Sequence, residues 1–490
     1  MINSLEPKIA NHEVLTRAKA HLRARGVKLP KMSELANPMG TLKDGYASIA
    51  SADPNEPDAR NLFRVHWHND GQGSGLTAIP SHLEIPSALT GVKARIIVAL
   101  GKHFPMISAH KVLPAYACLV PRLVTGQFDP ERNRAVWPST GNYCRGGVAI
   151  SRIMGCRSTA VLPEGMSAER FNWLERWVSH PEDIHRTHGT ESNVKEIYDA
   201  CKELSKDSNN VILNQFSEYG NYIAHRTVTG PALACIFDHV NKSGKLRVKA
   251  FMSASGSSGT LAAGDYLKDR FGSDTCVVEA LECPTLLKNG FGEHNIQGIG
   301  DKHVPLVHNV MGTDYVIAVS DLATDSLNVV YNSPEGHDYL AAHQGLSDDE
   351  VQSLSSLGLS GIANVLAAIK YAKYLKLGEN DVVMTVATDG AELYMTELHS
   401  ARAKYFRDGI TLVRAAETFG RHLLGTTTDN MIELTYPERE RVFNLGYYTW
   451  VEQQGISLKD FEARRSQSFW DDLIQVVPAW DALIDQFNAN

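Results

Sequence analysis

The middle of the chain alternates short apolar runs with longer amphipathic segments. Strand-sized apolar runs lie at residues 94–100, 158–162, 275–281, 315–320 and 381–387. The segments between them carry an apolar residue every three or four positions, which is typical of helices that bury one face. Apolar strands separated by such helices predict an α/β fold with largely parallel sheets and helices on both faces.

One stretch, residues 248–271, reads as a strand, a loop of small residues and a helix. The loop contains Gly256, Ser257, Ser258, Gly259 and Thr260. Small side chains let a ligand approach the backbone, and the N–H groups and dipole at a helix start favour a dianion, so the stretch suits a phosphate group. The alternative is an ordinary loop rich in Gly and Ser.

The same loop excludes two classes of phosphate site. No Lys-Ser or Lys-Thr pair follows the second glycine, as a nucleotide P-loop needs, and the glycine spacing differs from the dinucleotide-binding fingerprint. A phosphorylated cofactor or substrate remains. The turn at residues 138–143 and the loop after residue 387 also fall at the carboxyl ends of predicted strands, where open α/β sheets bind their ligands.

Composition narrows the class of protein. The chain has 490 residues, 43% of them hydrophobic and 21% charged, with a net charge of -8, which suits a multi-domain globular protein and argues against a nucleic-acid partner. No apolar run approaches the roughly 20 residues that span a bilayer, and the first 26 residues carry charges where a signal peptide needs apolar ones. We therefore expect a cytoplasmic protein with no membrane partner.

Cysteine and histidine patterns give no metal site. The seven cysteines are scattered without a C-x-x-C pair, so we expect reduced thiols and no zinc. His66 and His68 would share one face of a strand, but no third ligand is near in sequence. We expect these two histidines to be polar residues of the surface or of a substrate loop.

The two ends of the chain differ from its middle. The beginning contains an amphipathic helix at residues 13–25 and a connector rich in Pro, Asp and Asn at residues 52–58. Residues 401–490 mix charged, helix-like stretches with aromatic side chains. We expect helical extensions that pack on the main body or on a second subunit.

Several short motifs follow one another in a fixed order. They are Lys111 in Ser-Ala-His-Lys, the turn Ser139-Thr140-Gly141-Asn142, Asn214-Gln215-Phe216, the small-residue loop, and Ala387-Thr388-Asp389-Gly390. Longer segments accompany them: PSTGNYCRGGVAISRIMGCRSTAVLPE, NQFSEYGNYIAHRTVTGPAL, NIQGIGDKHVP and GLSGIANVLAAIKYAK. In this order, over about residues 80–400, they resemble the fold-type II family of pyridoxal phosphate (PLP) enzymes, and most closely cysteine synthase and cystathionine β-synthase.

The resemblance implies a division of the chain into domains. Residues 91–113 and 226–400 would form a large PLP-binding α/β domain, and residues 114–225 a small mobile α/β domain. Residues 1–90 and 401–490 would be the N-terminal and C-terminal helical extensions.

The resemblance also implies roles for individual residues. Lys111 would form a Schiff base with PLP and then act as the general base at Cα. Asn142 would bind the 3′-hydroxyl of the cofactor, and Gly256, Ser257, Ser258, Gly259 and Thr260 would bind its phosphate. Ser139, Thr140 and Gly141 would bind the substrate carboxylate, with Gln215 nearby.

Thr388 stands where the family places a hydroxyl against the pyridine nitrogen. A neutral partner leaves that nitrogen largely unprotonated, which favours loss of a β-substituent over transamination. Asp389 is the competing partner, and a carboxylate there would reverse the argument. We favour Thr388, because alternation along a strand points only one of two neighbours inward.

Departures from the family pattern do not change the prediction of the cofactor, but they leave the identity of the substrate open. Val112 and Leu113 stand where Asp-Arg usually follows the lysine, Ala232 replaces a glutamate, and Ser258 replaces a glycine of the phosphate loop.

The implied activity is α,β-elimination or β-replacement on a small amino acid through an aminoacrylate intermediate, by a lyase or transferase of amino-acid metabolism. The alternatives are a PLP-dependent ammonia-lyase or deaminase, a catalytic subunit that needs a partner chain, and a non-catalytic protein of the same fold. The resemblance further implies a homodimer.

Overall fold

A computed structural model describes residues 5–42, 45–72 and 75–489. Its strands form two sheets. They are β1 (His82–Ile85), β2 (Arg95–Leu100), β3 (Arg134–Pro138), β4 (Arg157–Pro163), β5 (Ile184–Thr187), β6 (Asn210–Ile212), β7 (Arg247–Ala254), β8 (Asp274–Ala280), β9 (Tyr315–Val319), β10 (Asp381–Ala387) and β11 (Met431–Glu433).

The larger sheet has the order β1-β2-β10-β7-β8-β9-β11. Its five inner strands are parallel, and β1 and β11 are antiparallel edge strands. Every residue of β10 is buried. Such a strand reads as a continuous apolar run because helices cover both faces of a parallel sheet.

The smaller sheet, β5-β4-β3-β6, is entirely parallel. Its strands are contiguous in sequence, between residues 134 and 212, and are separated by helices. The predicted α/β fold with largely parallel sheets is therefore confirmed.

The α-helices connect and cover the strands. They are α1 (His12–Ala24), α2 (Met32–Ala36), α3 (Pro38–Thr41), α4 (Tyr46–Ala50), α5 (Ser87–Thr90), α6 (Val112–Val124), α7 (Asn142–Met154), α8 (Ala168–Trp177), α9 (Val194–Leu204), α10 (Tyr219–Ala224), α11 (Gly230–Val240), α12 (Ala262–Phe271), α13 (Thr285–Lys288), α14 (Asp321–Tyr331), α15 (Pro334–Gln344), α16 (Asp348–Ser353), α17 (Leu359–Tyr374), α18 (Met395–Tyr405), α19 (Leu412–Phe419), α20 (Tyr436–Tyr447), α21 (Leu458–Ala463), α22 (Gln467–Ile474) and α23 (Val477–Asn488).

The two extensions are not purely helical, which differs from the sequence-based expectation. The N-terminal one supplies β1 and the C-terminal one supplies β11, each at an edge of the larger sheet. These strands have only four and three residues, too short for a clear alternation of apolar and polar positions.

The extensions also contact each other and the main body. The backbone N–H of Met32 donates to Asp481 at 2.7 Å, and the indole of Trp480 donates to the carbonyl of Leu5 at 3.0 Å. Tyr116, on α6, donates its hydroxyl to the carbonyl of Pro30 at 2.5 Å. The beginning and the end of the chain thus pack together against α6.

Within the described ranges, no single helix is long and apolar enough to cross a membrane. The segments Asp348–Ser356 and Leu359–Tyr374, which are bent by 112° relative to each other, reach that length and apolar content only when they are taken together.

Candidate active site

Lys111 lies at the end of the loop that leaves β2 and directly precedes α6. The residue is partly buried, and its Nζ lies 3.5 Å from the hydroxyl of Ser257. The two residues come from the carboxyl ends of β2 and β7, which are separated in the sheet only by β10. The fold therefore brings the predicted lysine and the predicted phosphate loop together.

The environment of Lys111 favours its neutral form. Burial lowers its pKa from 10.5 to about 8, while the carboxyl groups of Asp301 and Asp389 act in the opposite direction. A neutral amine is the nucleophile that attacks a carbonyl group, so this lysine is reactive at a lower pH than a solvated one.

We expect the uptake of pyridoxal phosphate by cofactor-free protein to follow this pKa. Uptake should speed up as the pH rises and level off above about 8, because the amine loses its proton there. The rate is measured from the change in cofactor absorbance between pH 6 and 10.5. A midpoint near 10, the value of a solvated lysine, would contradict the assignment.

A cavity of about 480 Å³ adjoins Lys111. Of the residues predicted from sequence, those lining it are Lys111, Ser139, Thr140, Asn142, Gln215, Thr260 and Thr388. The cavity is also lined by Tyr143, Ser253, Ala254, Gln297, Gly298, Ile299, Ser360, Asn364 and Asp389. Gly141, Gly256, Ser257, Ser258 and Gly259 belong to the adjoining turn and loop but do not line the cavity.

The small-residue loop is held in a tight conformation. A Cβ added at Gly256 would lie 2.3 Å from the carbonyl oxygen of Gly298, and one at Gly259 would lie 2.0 Å from Asn221 Oδ1. Ser258 adopts a left-handed conformation with φ of 63°. Only glycine fits the two tight positions, so the backbone here is shaped closely by its neighbours.

The helical segment that follows this loop has no side-chain cap. It begins with a 3-10 turn, Gly259–Leu261, which leads into α12, and the N–H of Ala262 donates to carbonyls of that turn. The first N–H groups of a helical segment have no partner inside it, and its dipole favours negative charge there. The loop and the start of this segment can therefore bind a phosphate dianion.

The turn at residues 139–142 precedes α7. Ser139 accepts a hydrogen bond from the backbone N–H of Gly141 at 3.0 Å, which fixes the turn. Gly141 has φ of 145°, and α7 begins at Asn142. Ser139, Thr140 and the start of this 13-residue helix present hydroxyl and N–H donors to the cavity, as binding of a carboxylate requires.

Thr388 and Asp389 both line the cavity. Because β10 ends at Ala387, strand alternation does not extend to these two residues, and the choice of Thr388 stays a prediction. The carboxylate of Asp389 accepts hydrogen bonds from Asn142 at 2.6 Å and from the Tyr394 hydroxyl at 2.9 Å. Because the carboxylate of Asp389 already accepts these hydrogen bonds, the hydroxyl of Thr388 is the more available of the two side chains for a ligand.

Two buried arginines lie behind the turn, and the sequence analysis missed both. Arg145 donates to Asn142 Oδ1 at 2.9 Å, and Arg170 donates to the hydroxyl of Tyr394 at 3.0 Å. Both side chains are at most 2% exposed. Neither residue has a sequence signal of burial, because arginine on an amphipathic helix ordinarily faces solvent.

Two buried acids adjoin the same cavity. Glu191 and Asp301 are 1% and 5% exposed, and none of their four carboxylate oxygens has a hydrogen-bond partner within the described chain. Burial raises the pKa of Glu191 to about 8, although Arg170, Thr140 and the Gly298 amide act against it. Burial and the neighbouring Glu191 raise the pKa of Asp301 well above its ordinary value.

Histidines contribute packing around Lys111. His110 is buried and stacks on Trp67, with ring centroids 5.4 Å apart, and burial holds its pKa well below the ordinary value. His66 and His68 are also buried, at 0% and 6% exposure, so the expectation that they lie at the surface is wrong. Asn69 and Leu76 form an isolated antiparallel bridge. Among the described residues, no group of three or more His, Cys, Asp or Glu is arranged to hold a metal.

The arrangement defines a class of protein. A partly buried lysine of lowered pKa reacts readily with an aldehyde, and the uncapped helical segment beside it suits a phosphate dianion. An aldehyde that carries a phosphate satisfies both features at once. The fold and site are therefore those of an enzyme that uses such a cofactor on amines.

The sequence profile of the family described as pyridoxal-phosphate dependent enzyme matches residues 90–389. This chain belongs to that family, which confirms the predicted cofactor and the predicted enzyme.

Similar proteins agree with the family. The probable cysteine synthase of Bacillus subtilis (strain 168) is 29% identical over 284 residues, 58% of this chain and 82% of that protein. Cystathionine beta-synthase of Saccharomyces cerevisiae (strain ATCC 204508 / S288c) is 26% identical over 345 residues, 67% of this chain and 62% of that protein. The crystal structure of cysteine synthase from Entamoeba histolytica shares the fold with a TM-score of 0.53 and 19% identity, covering 69% of this chain and 92% of that one.

Proposed function

We propose that this enzyme performs β-elimination or β-replacement on a small amino acid, as a lyase or transferase. The observation that carries the proposal is the amine of Lys111, which adjoins one cavity together with the Ser139 turn and Thr388. The similarity to proteins named cysteine synthase and cystathionine beta-synthase supports it.

The residues present fit the cofactor. Lys111 would bind its aldehyde, and residues 256–260 with the start of α12 would hold its phosphate, because that helix end has no cap of its own. Asn142 would bind the ring hydroxyl, and Thr388 the ring nitrogen. When bound, pyridoxal phosphate withdraws electrons from the substrate Cα, which acidifies the Cα–H bond and allows a β-substituent to leave.

The chain's own groups orient the substrate and move its protons. Hydroxyls of Ser139 and Thr140, N–H groups at the start of α7 and the amide of Gln215 would hold the substrate carboxylate. With its carboxylate fixed, the substrate would present its Cα–H to Lys111. The Lys111 amine would take that proton, and with a pKa of about 8 it can both accept and return a proton near neutral pH.

The buried acids favour a second candidate, an ammonia-lyase that acts on a substrate with a distal amino group. Glu191 and Asp301 lie beside Thr140 and Gly298 of the cavity wall, and neither has a cationic partner at ion-pair distance among the described residues. A distal ammonium of the substrate would favour the ionised form of these acids, pair with it, and then leave as ammonia. A neutral acyl ester would leave the acids without a cationic partner.

A substrate panel tests the function. Purified holoenzyme is incubated with serine, O-acetylserine, cysteine and 2,3-diaminopropionate, with and without sulfide, and pyruvate, ammonia and new amino acids are measured. We expect turnover of at least one substrate, with cysteine formed from sulfide if replacement dominates. Two ammonia per pyruvate from 2,3-diaminopropionate would identify the second candidate. Absence of turnover with all four would contradict both.

We also propose a homodimer, the assembly that the family resemblance implies. Large apolar side chains are exposed on the single chain, among them Phe291 at 78%, Val413 at 76% and Tyr448 at 70%. Sedimentation velocity should give twice the mass of one chain, and a monomer at micromolar concentration would contradict the proposal.

A further inference from the structure

A second cavity, of about 950 Å³ and partly open to solvent, lies next to the active site. It is lined in part by Glu56, Ser108, Arg145, Arg152, Trp173 and Arg176. We call it the arginine–tryptophan cavity. These residues come from the connector in the N-terminal extension, from the loop before Lys111, and from α7 and α8.

Positive charge dominates this cavity. Three guanidinium groups and one carboxylate line it, and none of the three arginines forms an ion pair within the described residues. Arg152 and Arg176 are exposed and donate to backbone carbonyls, at 2.8 Å to Trp177 and 3.3 Å to Asn172. The cavity thus carries two excess positive charges, which match a dianion.

Arg145 is the buried one of the three arginines that line the cavity. Its side chain is 2% exposed, its Nε has no hydrogen-bond partner, and its hydrogen bond from Nη1 goes to the neutral amide of Asn142. Burial and the nearby Arg170 lower the pKa of Arg145 to about 10, although the carboxylate of Asp389 acts in the opposite direction. A buried cation that forms no ion pair is costly, and an anion in the cavity would reduce that cost.

The tryptophans hold these guanidinium groups in place. Trp173 and Trp177 stack with centroids 4.6 Å apart, Arg145 lies 5.0 Å from the ring of Trp173, and Arg152 lies 5.9 Å from that of Trp177. Planar guanidinium groups fixed in this way suit bidentate contacts to phosphate oxygens.

The arginine–tryptophan cavity is also connected to the catalytic residues through hydrogen bonds of its lining side chains. Arg145 contacts Asn142, which lines the active-site cavity. The indole of Trp173 donates to the carbonyl of Met106 at 3.0 Å, in the loop that ends at Lys111. Met106 and Ser108 have φ of 69° and 49°, left-handed conformations that persist only when neighbouring residues hold them.

We propose that the arginine–tryptophan cavity binds a small phosphate-bearing anion, and that its occupation changes catalysis in the adjoining active site. The occupant is distinct from the cofactor phosphate, which belongs to residues 256–260. The phosphate monoester class fits because its dianion balances the charge of the cavity.

Binding is tested on holoenzyme with inorganic phosphate by isothermal titration calorimetry, at ionic strength held constant with chloride. The variant R152A/R176A removes two exposed guanidinium groups and leaves Arg145 in place. The control R402A/R407A removes two exposed arginines elsewhere. We expect one phosphate per chain, with affinity at least tenfold weaker in R152A/R176A and unchanged in the control. Equal affinity in all three proteins, or no binding to wild type, would overturn the site.

Coupling is tested with the same proteins. Phosphate should change kcat or KM of wild type and the control by at least twofold and leave R152A/R176A unaffected. The same effect in all three would show competition in the active site and overturn the coupling, as would no effect in any. Where R152A/R176A loses its circular dichroism spectrum, R152Q/R176Q, which keeps side-chain length, replaces it in both experiments.

Discussion

The K111A variant should lose about 10²–10⁴-fold in turnover, the range attributed to a positioned acid–base group. Lys111 is expected to have two roles, because its amine both binds the cofactor aldehyde and moves the Cα proton. The variant should also retain no covalently bound cofactor after borohydride reduction and denaturation, measured by mass spectrometry of the intact chain.

The control for that variant is K102A. Lys102 lies in the same loop after β2 but does not line the active-site cavity. It should keep both turnover and the borohydride-fixed cofactor. Retention of the fixed cofactor in K111A, or its loss in K102A, would show that the lysine has been misassigned.

The E191Q variant should be more stable than wild type at alkaline pH. Because the folded pKa of Glu191 is raised from 4.5 to about 8, the folded state keeps a proton that the unfolded state releases above pH 4.5. The free energy of unfolding therefore falls as the pH rises from 4.5 to 8. Between pH 5.5 and 8 this cost grows by about 3 kcal/mol at 1.36 kcal/mol per pKa unit, and glutamine removes it.

Urea unfolding of cofactor-free protein at pH 5.5 and pH 8 measures the effect. The control E379Q neutralises an exposed glutamate and should shift the free energy of unfolding by less than about 0.5 kcal/mol at either pH. The assignment fails if E191Q gains no more stability at pH 8 than at pH 5.5. In the same variant, any turnover of 2,3-diaminopropionate should fall relative to that of serine.

The α/β class of the fold could be predicted, although not the edge strands β1 and β11, because the signals of the inner strands and helices are local. The apolar run of β10 and the small-residue loop before α12 each predict their own structure, and their order along the chain carries the family resemblance. Lys111, Asn142 and Thr388 could be named because each stands in or beside a motif with a fixed place in that order.

The surroundings of these residues could not be predicted in the same way. Glu191 follows the edge strand β5. Asp301 lies in the segment NIQGIGDKHVP, which resembles the family but for which the resemblance implies no role. Arg145 and Arg170 read as ordinary surface charges of α7 and α8. Residues of α7 and α8 contact residues 389–394, as Asn142 contacts Asp389 and Arg170 contacts Tyr394, and no local pattern encodes such long-range contacts.

The contacts between the two ends of the chain bear on how the protein can be engineered. Because Leu5 and Met32 are joined to the last helix, and Pro30 to α6, a fragment trimmed to residues 80–400 would expose the apolar surface beneath α6. We expect this fragment of residues 80–400 to aggregate rather than to be an active, smaller enzyme.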